Sequence, residues 1–315
     1  MTDSNELTII LCEPRGFCAG VERAVTIVER ALKKYGAPIY VRHEIVHNKW
    51  VVEDLRGRGV IFVDEIDDIP EGAVTVFSAH GVSDAVEEAA AKRNLPVIDA
   101  TCPLVTKVHL EAQRYEKKDK QIILIGHDGH PEVEGTSGRV KSDVLLVSSK
   151  KDVVQLTVQN KDALAYVTQT TLSVDDTKEI IKALKERFPT ITGPDVKDIC
   201  YATQNRQNAV RELEGKVECL LVVGATNSSN SNRLRDLGEE IGISSYLIAS
   251  AEELDLAWLE GKHAVGITAG ASAPEHLVEE LVSKLQNYKA SSLRTLMTVR
   301  EDIQFKLPKE LIDVA

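Results

Sequence analysis

Along nearly the whole chain, short apolar runs rich in valine and isoleucine alternate with stretches whose apolar positions recur every three or four residues. The short runs lie at residues 7–11, 38–41, 61–63, 74–78, 97–99, 121–125, 144–147, 164–168, 219–223, 245–247 and 264–268. Brief β-branched runs bounded by turn residues predict strands, and strands alternating with helical periods predict βαβ units around mostly parallel sheets. The fold class is therefore α/β. Helices are expected over residues 21–34, 105–115 and 207–216, each after a turn that carries a cysteine. No long low-complexity or proline- and glycine-rich linker interrupts residues 7–288, so the lobes of such a chain are expected to be tightly joined. The tail, residues 289–315, leaves this rhythm, and residues 303–308 read as one edge strand stopped by Pro308.

The cysteine turns recur in one context. Cys18 stands between the run at 7–11 and a helix, Cys102 between the run at 97–99 and a helix, and Cys200 before the helix expected at 207–216. The separations are 102 − 18 = 84 and 200 − 102 = 98 residues, so each third of the chain supplies one such cysteine. A thiol at a helix N-terminus sits among free backbone N–H groups at the positive end of the helix dipole, which favours the thiolate that binds metals. A lone cysteine of this kind is more commonly a small buried hydrophobe. Three in one context point to a shared metal centre, with an iron–sulfur cluster and zinc both open. Cys12 and Cys219 lie inside strand-like runs and are assigned to packing.

Composition narrows the partners. The chain has 315 residues, enough for two or three lobes, with 43% hydrophobic and 28% charged residues as in ordinary globular proteins. Its 38 basic against 49 acidic side chains give a net charge of −11, which argues against nucleic acid as principal partner, since that binding rests on basic surface. The pairs Lys117, Lys118 and Lys150, Lys151 read as solvated faces. No apolar stretch approaches the ~18 residues of a membrane span, and residues 1–6 lack the regions of a signal peptide. A cytoplasmic protein without a membrane partner is expected. Five cysteines in such a chain argue for metal or redox chemistry over a disulfide scaffold.

In open parallel sheets, ligands bind at the carboxyl ends of the strands. The turns there are rich in functional groups: His80 after the run at 74–78, His130 and Glu132 after 121–125, Thr170 after 164–168, Ser228, Ser229 and Asn230 after 219–223, and Ser272 after 264–268. Hydroxyl, amide and glycine N–H groups at helix starts either cap the helix or cradle a phosphate. Two such turns in the last third, without a Walker-type lysine, point to an anion site. Glu132 is a candidate proton donor and His80 a candidate phosphate donor or proton shuttle, although residue types alone favour these roles no more than ordinary hydrogen-bonded side chains. Residues 43–47 fit the H-E-x-x-H pattern of zinc peptidases, which needs both histidines on one helical face. They follow directly on the run at 38–41, and the helical pattern starts only near Asn48, so that helical context is not expected.

With these residues in view, the chain resembles the 4-hydroxy-3-methylbut-2-enyl diphosphate reductase family, iron–sulfur enzymes that end the methylerythritol phosphate route to isoprenoid precursors. The resemblance runs from about residue 7 to 285. It rests on PRGFCAGV at 14–21, YVRHEIVHN at 40–48, FSAHGVS at 77–83, DATCPLVTKVH at 99–109, GHPEVEGT at 129–136, TQTTLSVDDT at 168–177, DICYAT at 198–203, NSSNSNRL at 227–234 and TAGASAP at 268–274. The tail matches more weakly, through PKEL at 308–311.

The resemblance implies three similar lobes, at residues 7–101, 102–199 and 200–288, in pseudo-threefold arrangement about a central cavity, with 289–315 as a C-terminal tail. It implies that Cys18, Cys102 and Cys200 hold one [4Fe-4S] cluster by three thiolates, leaving one iron open to substrate; fully cysteine-ligated clusters mainly transfer electrons. The implied reaction removes the allylic hydroxyl of the substrate diphosphate as water, with two electrons and two protons, giving isopentenyl and dimethylallyl diphosphate. The implied electron donor is of ferredoxin or flavodoxin type. Glu132 matches the family's proton-delivering residue, with Thr170 and His130 in its hydrogen-bonding network. His47, His80, Ser228, Ser229, Asn230 and Ser272 match its diphosphate-binding positions. The rival readings are a cluster dehydratase or synthase that needs no reductant, and a non-catalytic protein in which three cysteines and a histidine hold zinc.

Overall fold

The computed structural model describes residues 6–314. Residues 1–5, on which most of the leaderless reading rests, and Ala315 lie outside the described residues. In chain order the elements are β1 (Leu7–Glu13), α1 (Ala19–Tyr35), β2 (Ile39–Arg42), α2 (Lys49–Gly57), β3 (Val60–Val63), β4 (Thr75–Phe77), α3 (Asp84–Lys92), β5 (Val97–Asp99), α4 (Pro103–Glu116), β6 (Gln121–Ile125) and α5 (Pro131–Ser137). There follow β7 (Leu145–Val147), α6 (Lys150–Gln155), β8 (Leu164–Thr168), α7 (Val174–Arg187), α8 (Tyr201–Arg211), β9 (Cys219–Val223), α9 (Ser229–Glu240), β10 (Ser244–Ile248), β11 (Ala264–Ala269), α10 (Glu275–Tyr288) and β12 (Ser291–Met297). Each apolar run of the sequence becomes a strand, within a residue or two at its ends.

The strands form three sheets of five, four and three strands, and each named strand pair is parallel. The chain divides into two compact units. The first comprises residues 6–19, 47–51 and 201–304 of the described chain and contains the five-stranded sheet, ordered β10-β9-β11-β1-β12. Both faces of that sheet are covered. Leu7, Ile9 and Leu11 pack with Leu277, Leu281 and Leu285 of α10, while Cys12 faces the other way, among Val210 and Leu213 and with Leu234 and Leu237 of α9. A fully buried leucine or isoleucine in such a layer contributes about 1.5–3 kcal/mol, which is why the strand runs lack alternation with polar residues.

The second unit comprises residues 20–46, 52–200 and 305–314 of the described chain. It holds the four-stranded sheet β3-β2-β4-β5 and the three-stranded sheet β7-β6-β8. Helix α4 runs from the first of these to the second, packing Val108, Ala112 and Tyr115 against Ile122, Leu124, Ala165 and Val167. In each unit the carboxyl ends of the strands open into the functional turns, where an α/β fold places its ligands.

Two local expectations are corrected and a third holds. The helix expected at 207–216 begins at Tyr201, directly after Cys200, because Thr203, Arg206 and Gln207 are buried polar residues that obscure its apolar period. Residues 303–308 form no strand; the edge strand is β12, which runs parallel to β1 from Leu7↔Ser291 to Glu13↔Met297 and stops where Thr298 N–H turns to the Glu13 carbonyl at 2.9 Å. Residues 43–47 are irregular and not helical, as expected, with His43 at φ +58. Helix α2 starts only after Asn48, whose Oδ1 accepts the N–H groups of Trp50 (3.1 Å) and Val51 (3.2 Å). His43 and His47 therefore do not share a helical face, and the peptidase geometry does not form.

Candidate active site

In the second unit, six of the residues singled out by sequence fall along one line of contacts. Cys102 caps α4, ahead of Pro103, in an extended conformation, and its N–H donates to the carbonyl of Ala79 at 3.0 Å. The next residue, His80, is buried with Nδ1 3.3 Å from Ser78 Oγ. Its ring meets that of His130 edge to face at 6.0 Å. His130 caps α5, and its Nδ1 accepts the Glu132 N–H at 3.1 Å. The Glu132 carboxylate is buried and accepts from Thr170 twice, from the N–H at 2.9 Å and from Oγ1 at 2.9–3.0 Å. The Thr170 carbonyl in turn accepts the N–H of Cys200 at 3.0 Å. A buried carboxylate held by two donors is the arrangement that keeps a proton-transferring group oriented, each such bond to a charged group being worth about 1.5–3 kcal/mol.

The turn after His80 requires glycine. Gly81 has φ +79, and a Cβ there would come within 2.7 Å of the His109 ring. His109, on α4, is buried beneath this turn with Nε2 unpartnered. Burial, reinforced by Arg139, pushes it down to about 4, so it is neutral at physiological pH.

In the first unit lie Cys18, His47, Ser228, Ser229, Asn230 and Ser272. Cys18 precedes α1 by one residue, and its N–H donates to the Ala271 carbonyl at 3.1 Å, next to Ser272. Ser272 is buried and its Oγ donates to the His47 carbonyl at 2.9 Å, tying together two positions 225 residues apart. Ser228 caps α9, its Oγ accepting from Ser231 N–H (3.3 Å) and Ser231 Oγ (3.0 Å). Asn230, at the second position of that helix, is 4% exposed, yet neither its Nδ2 nor its Oδ1 has a partner. Gly270 makes the close approach possible, since a Cβ there would lie 2.0 Å from Ser231 Oγ and 3.1 Å from Asn230 Nδ2. A serine-capped helix N-terminus with an unsatisfied buried amide is built for an anion.

The donor chemistry of the cysteines separates into two kinds. Cys12 and Cys219 are buried in strands, where burial pushes their thiols up to about 12 and about 11, so they stay protonated and inert. Cys18, Cys102 and Cys200 are partly exposed and each lies at, or one residue before, the start of a helix. That is the setting in which a thiol ionises and can ligate a metal.

Sequence reasoning missed several groups that hold these turns. Ser78 and Gln169 lie inside the quoted motifs; Gln169 accepts the His127 N–H at 3.1 Å and donates to Thr171 Oγ1 at 2.7 Å. Asp198, two residues before Cys200, has a fully buried side chain that accepts from Lys107 Nζ at 3.1 Å and from Thr168 N–H at 3.2 Å. Burial pushes its carboxyl up to about 6, with Glu111 adding to the rise and the Lys107 and Thr168 contacts opposing it. Arg206 is the largest fully buried side chain among the described residues, and with the helix expected only from residue 207 no signal in the sequence marked it.

The family described as LytB protein matches residues 9–286. The protein named 4-hydroxy-3-methylbut-2-enyl diphosphate reductase 1 of Rhodopseudomonas palustris is 61% identical over 303 residues, which cover 96% of this chain and 99% of that one. A reductase of the same name from Azoarcus sp. is 57% identical over 98% of both chains. Among solved structures, the E-1-hydroxy-2-methyl-but-2-enyl-4-diphosphate reductase from Plasmodium falciparum matches with TM-score 0.94 at 38% identity, over 98% of this chain and 97% of that one. A second, (E)-4-hydroxy-3-methyl-but-2-enyl diphosphate reductase, described as the terminal enzyme of the non-mevalonate pathway, matches at TM-score 0.65 and 33% identity, over 89% of this chain and 99% of that one. Matched over most of its length in sequence and in fold, the chain belongs to the LytB protein family.

Proposed function

We propose that the protein catalyses the reductive dehydroxylation of (E)-4-hydroxy-3-methylbut-2-enyl diphosphate to isopentenyl and dimethylallyl diphosphate. The observation that carries this reading is the contact line in the second unit, where the buried Glu132 carboxylate is held by Thr170, whose own carbonyl binds the N–H of Cys200. That hydrogen-bonded link supports reading Glu132 as the proton-delivering group beside a proposed metal ligand. The names of the relatives and of the solved structures support the substrate class.

The reaction consumes two electrons and two protons and releases the hydroxyl as water. A [4Fe-4S] cluster held by Cys18, Cys102 and Cys200 would supply Lewis acidity at its open iron and a path for the electrons. Glu132 delivers a proton toward the leaving hydroxyl and is kept in place by Thr170 Oγ1 and N–H. His130 fixes the first turn of α5, and thereby Glu132, through its bond to the Glu132 N–H. Ser228, Ser229, Asn230 and Ser272, with His47 and His80, bind the diphosphate. An acidic chain can hold a trianion in this way, because neutral donors at helix N-termini act over short range where net charge does not. The electrons come from a ferredoxin- or flavodoxin-type partner. Among the described residues no helix is long and apolar enough to cross a membrane.

The test is anaerobic turnover of the hydroxylated allylic diphosphate by the reconstituted protein with reduced methyl viologen. The reading expects both products and oxidation of the dye in a ratio of two electrons per product. Loss of water without reductant, giving a diene diphosphate in place of either product, would instead identify a lyase that uses the metal only as a Lewis acid.

A further inference from the structure

Each of the three cysteine turns is held by a cation from the helix that follows a different cysteine. Arg23, on α1 and 23 − 18 = 5 residues after Cys18, donates through Nη1 to the carbonyls of Ala100 (3.2 Å) and Thr101 (3.0 Å), the two residues before Cys102. Lys107, on α4 and 107 − 102 = 5 residues after Cys102, donates through Nζ to the Lys197 carbonyl (3.0 Å) and to Asp198 Oδ1 (3.1 Å), on the segment entering Cys200. Arg206, on α8 and 206 − 200 = 6 residues after Cys200, donates to the Gly16 carbonyl from Nε (3.2 Å) and Nη2 (2.7 Å) and reaches the Phe17 carbonyl at 3.5 Å, the two residues before Cys18. The order is cyclic, from the helix of Cys18 to the turn of Cys102, from the helix of Cys102 to the turn of Cys200, and from the helix of Cys200 back to the turn of Cys18.

These are charge-assisted bonds, the stronger kind. Two of the three involve a charge that water does not reach, since Arg206 is fully buried and the Asp198 carboxylate is completely covered. A buried cation is costly unless its partners are fixed, so the turn it binds is fixed with it. We propose that Arg23, Lys107 and Arg206 are positioning residues, each fixing the backbone turn that leads into the next cysteine in the cycle. The proposal rests on reading those cysteines as cluster ligands. Each turn gains its order from the protein before any metal arrives, and a change in one helix reaches the cysteine of another turn.

The test is cysteine-resolved alkylation with iodoacetamide, read by mass spectrometry on the full chain, both metal-free and after anaerobic reconstitution with iron and sulfide. In the metal-free chain, loss of a charge-assisted clamp speeds labelling of the next cysteine by about tenfold: Cys102 for Arg23→Gln, Cys200 for Lys107→Met and Cys18 for Arg206→Gln, with the other two unchanged. Each reconstituted variant also holds less iron per chain than the wild type. Equal acceleration of all three cysteines, acceleration at the cysteine on the variant's own helix, or no acceleration overturns the proposal. If Arg206→Gln unfolds the chain, the buried Cys12 and Cys219 label as well, and Arg206→Lys, which keeps the charge but loses the two-point contact, then serves with the same expected site. A wild-type protein that takes up no cluster refutes the reading of the cysteines as ligands, whereas the labelling pattern of the metal-free variants decides the clamps separately.

Discussion

Asn230 offers a prediction in which stability and binding move apart. Its side chain is 4% exposed and both amide atoms lack partners in the protein. Burying an amide without hydrogen bonds costs about 1–3 kcal/mol in protein mutational data. Asn230→Ala removes that cost and loses roughly 1–2 kcal/mol of packing contacts, while alanine adds a few tenths in helix propensity. The terms roughly offset, so the variant should lie within about 1 kcal/mol of the wild type, where truncating a well-satisfied buried side chain costs about 2–5 kcal/mol. The diphosphate loses its amide partner, and a hydrogen bond to a charged group is worth about 1.5–3 kcal/mol, or roughly 10- to 150-fold in Kd. Urea unfolding gives the first quantity, and calorimetric titration with isopentenyl diphosphate gives the second. A variant destabilised by about 3 kcal/mol or more with unchanged affinity would show that the amide serves the fold, and the reasoning would fail.

Glu132→Gln should cut turnover by about 10² or more, the usual scale for losing a general acid, while iron content and substrate binding stay near wild type; near-normal turnover in a cluster-replete preparation refutes the role. Cys102→Ser should abolish cluster assembly, whereas Cys12→Ser, at a thiol held at about 12 by burial, should leave iron and sulfide content unchanged; iron content in either variant checks the ligand set. His109 is pushed down to about 4 from 6.5. Between those values the unfolded chain binds a proton that the folded chain does not, so stability present above pH 6.5 is lost as pH falls toward 4, by up to about 3 kcal/mol. Asp198, raised to about 6, titrates in the opposite sense, so the effect is read as wild type against His109→Asn in urea at about pH 7.5 and about pH 5. The variant should lose less stability on acidification, and equal losses would contradict the assignment.

The strands were legible because most are buried on both faces, which leaves an apolar run as their only local signature. Strand β12 escaped for the opposite reason. It is an edge strand with Leu293 and Met297 exposed and two serines at its start, so it carries no such run. Its neighbour β1 lies between β11 and β12, more than 250 residues away in sequence, and no periodicity encodes that pairing. The cysteine turns were legible because strand, turn and helix are all local. The start of α8 was not, since Thr203, Arg206 and Gln207 occupy buried positions where apolar residues were sought. The clamps on those turns join residues 77, 90 and 190 positions apart and leave only isolated cations in the sequence. The unsatisfied amide of Asn230 is likewise a property of the fold, since the sequence marks the residue equally well as a helix-start amide.

The most direct measurement is an anaerobic visible and Mössbauer spectrum of the reconstituted protein, recorded with and without the hydroxylated allylic diphosphate. The account predicts a brown four-iron cluster in which the signal of a single iron shifts when the diphosphate is added, because three cysteines leave one iron for the substrate. A colourless protein with stoichiometric zinc, or a cluster whose four irons ignore the diphosphate, would contradict it.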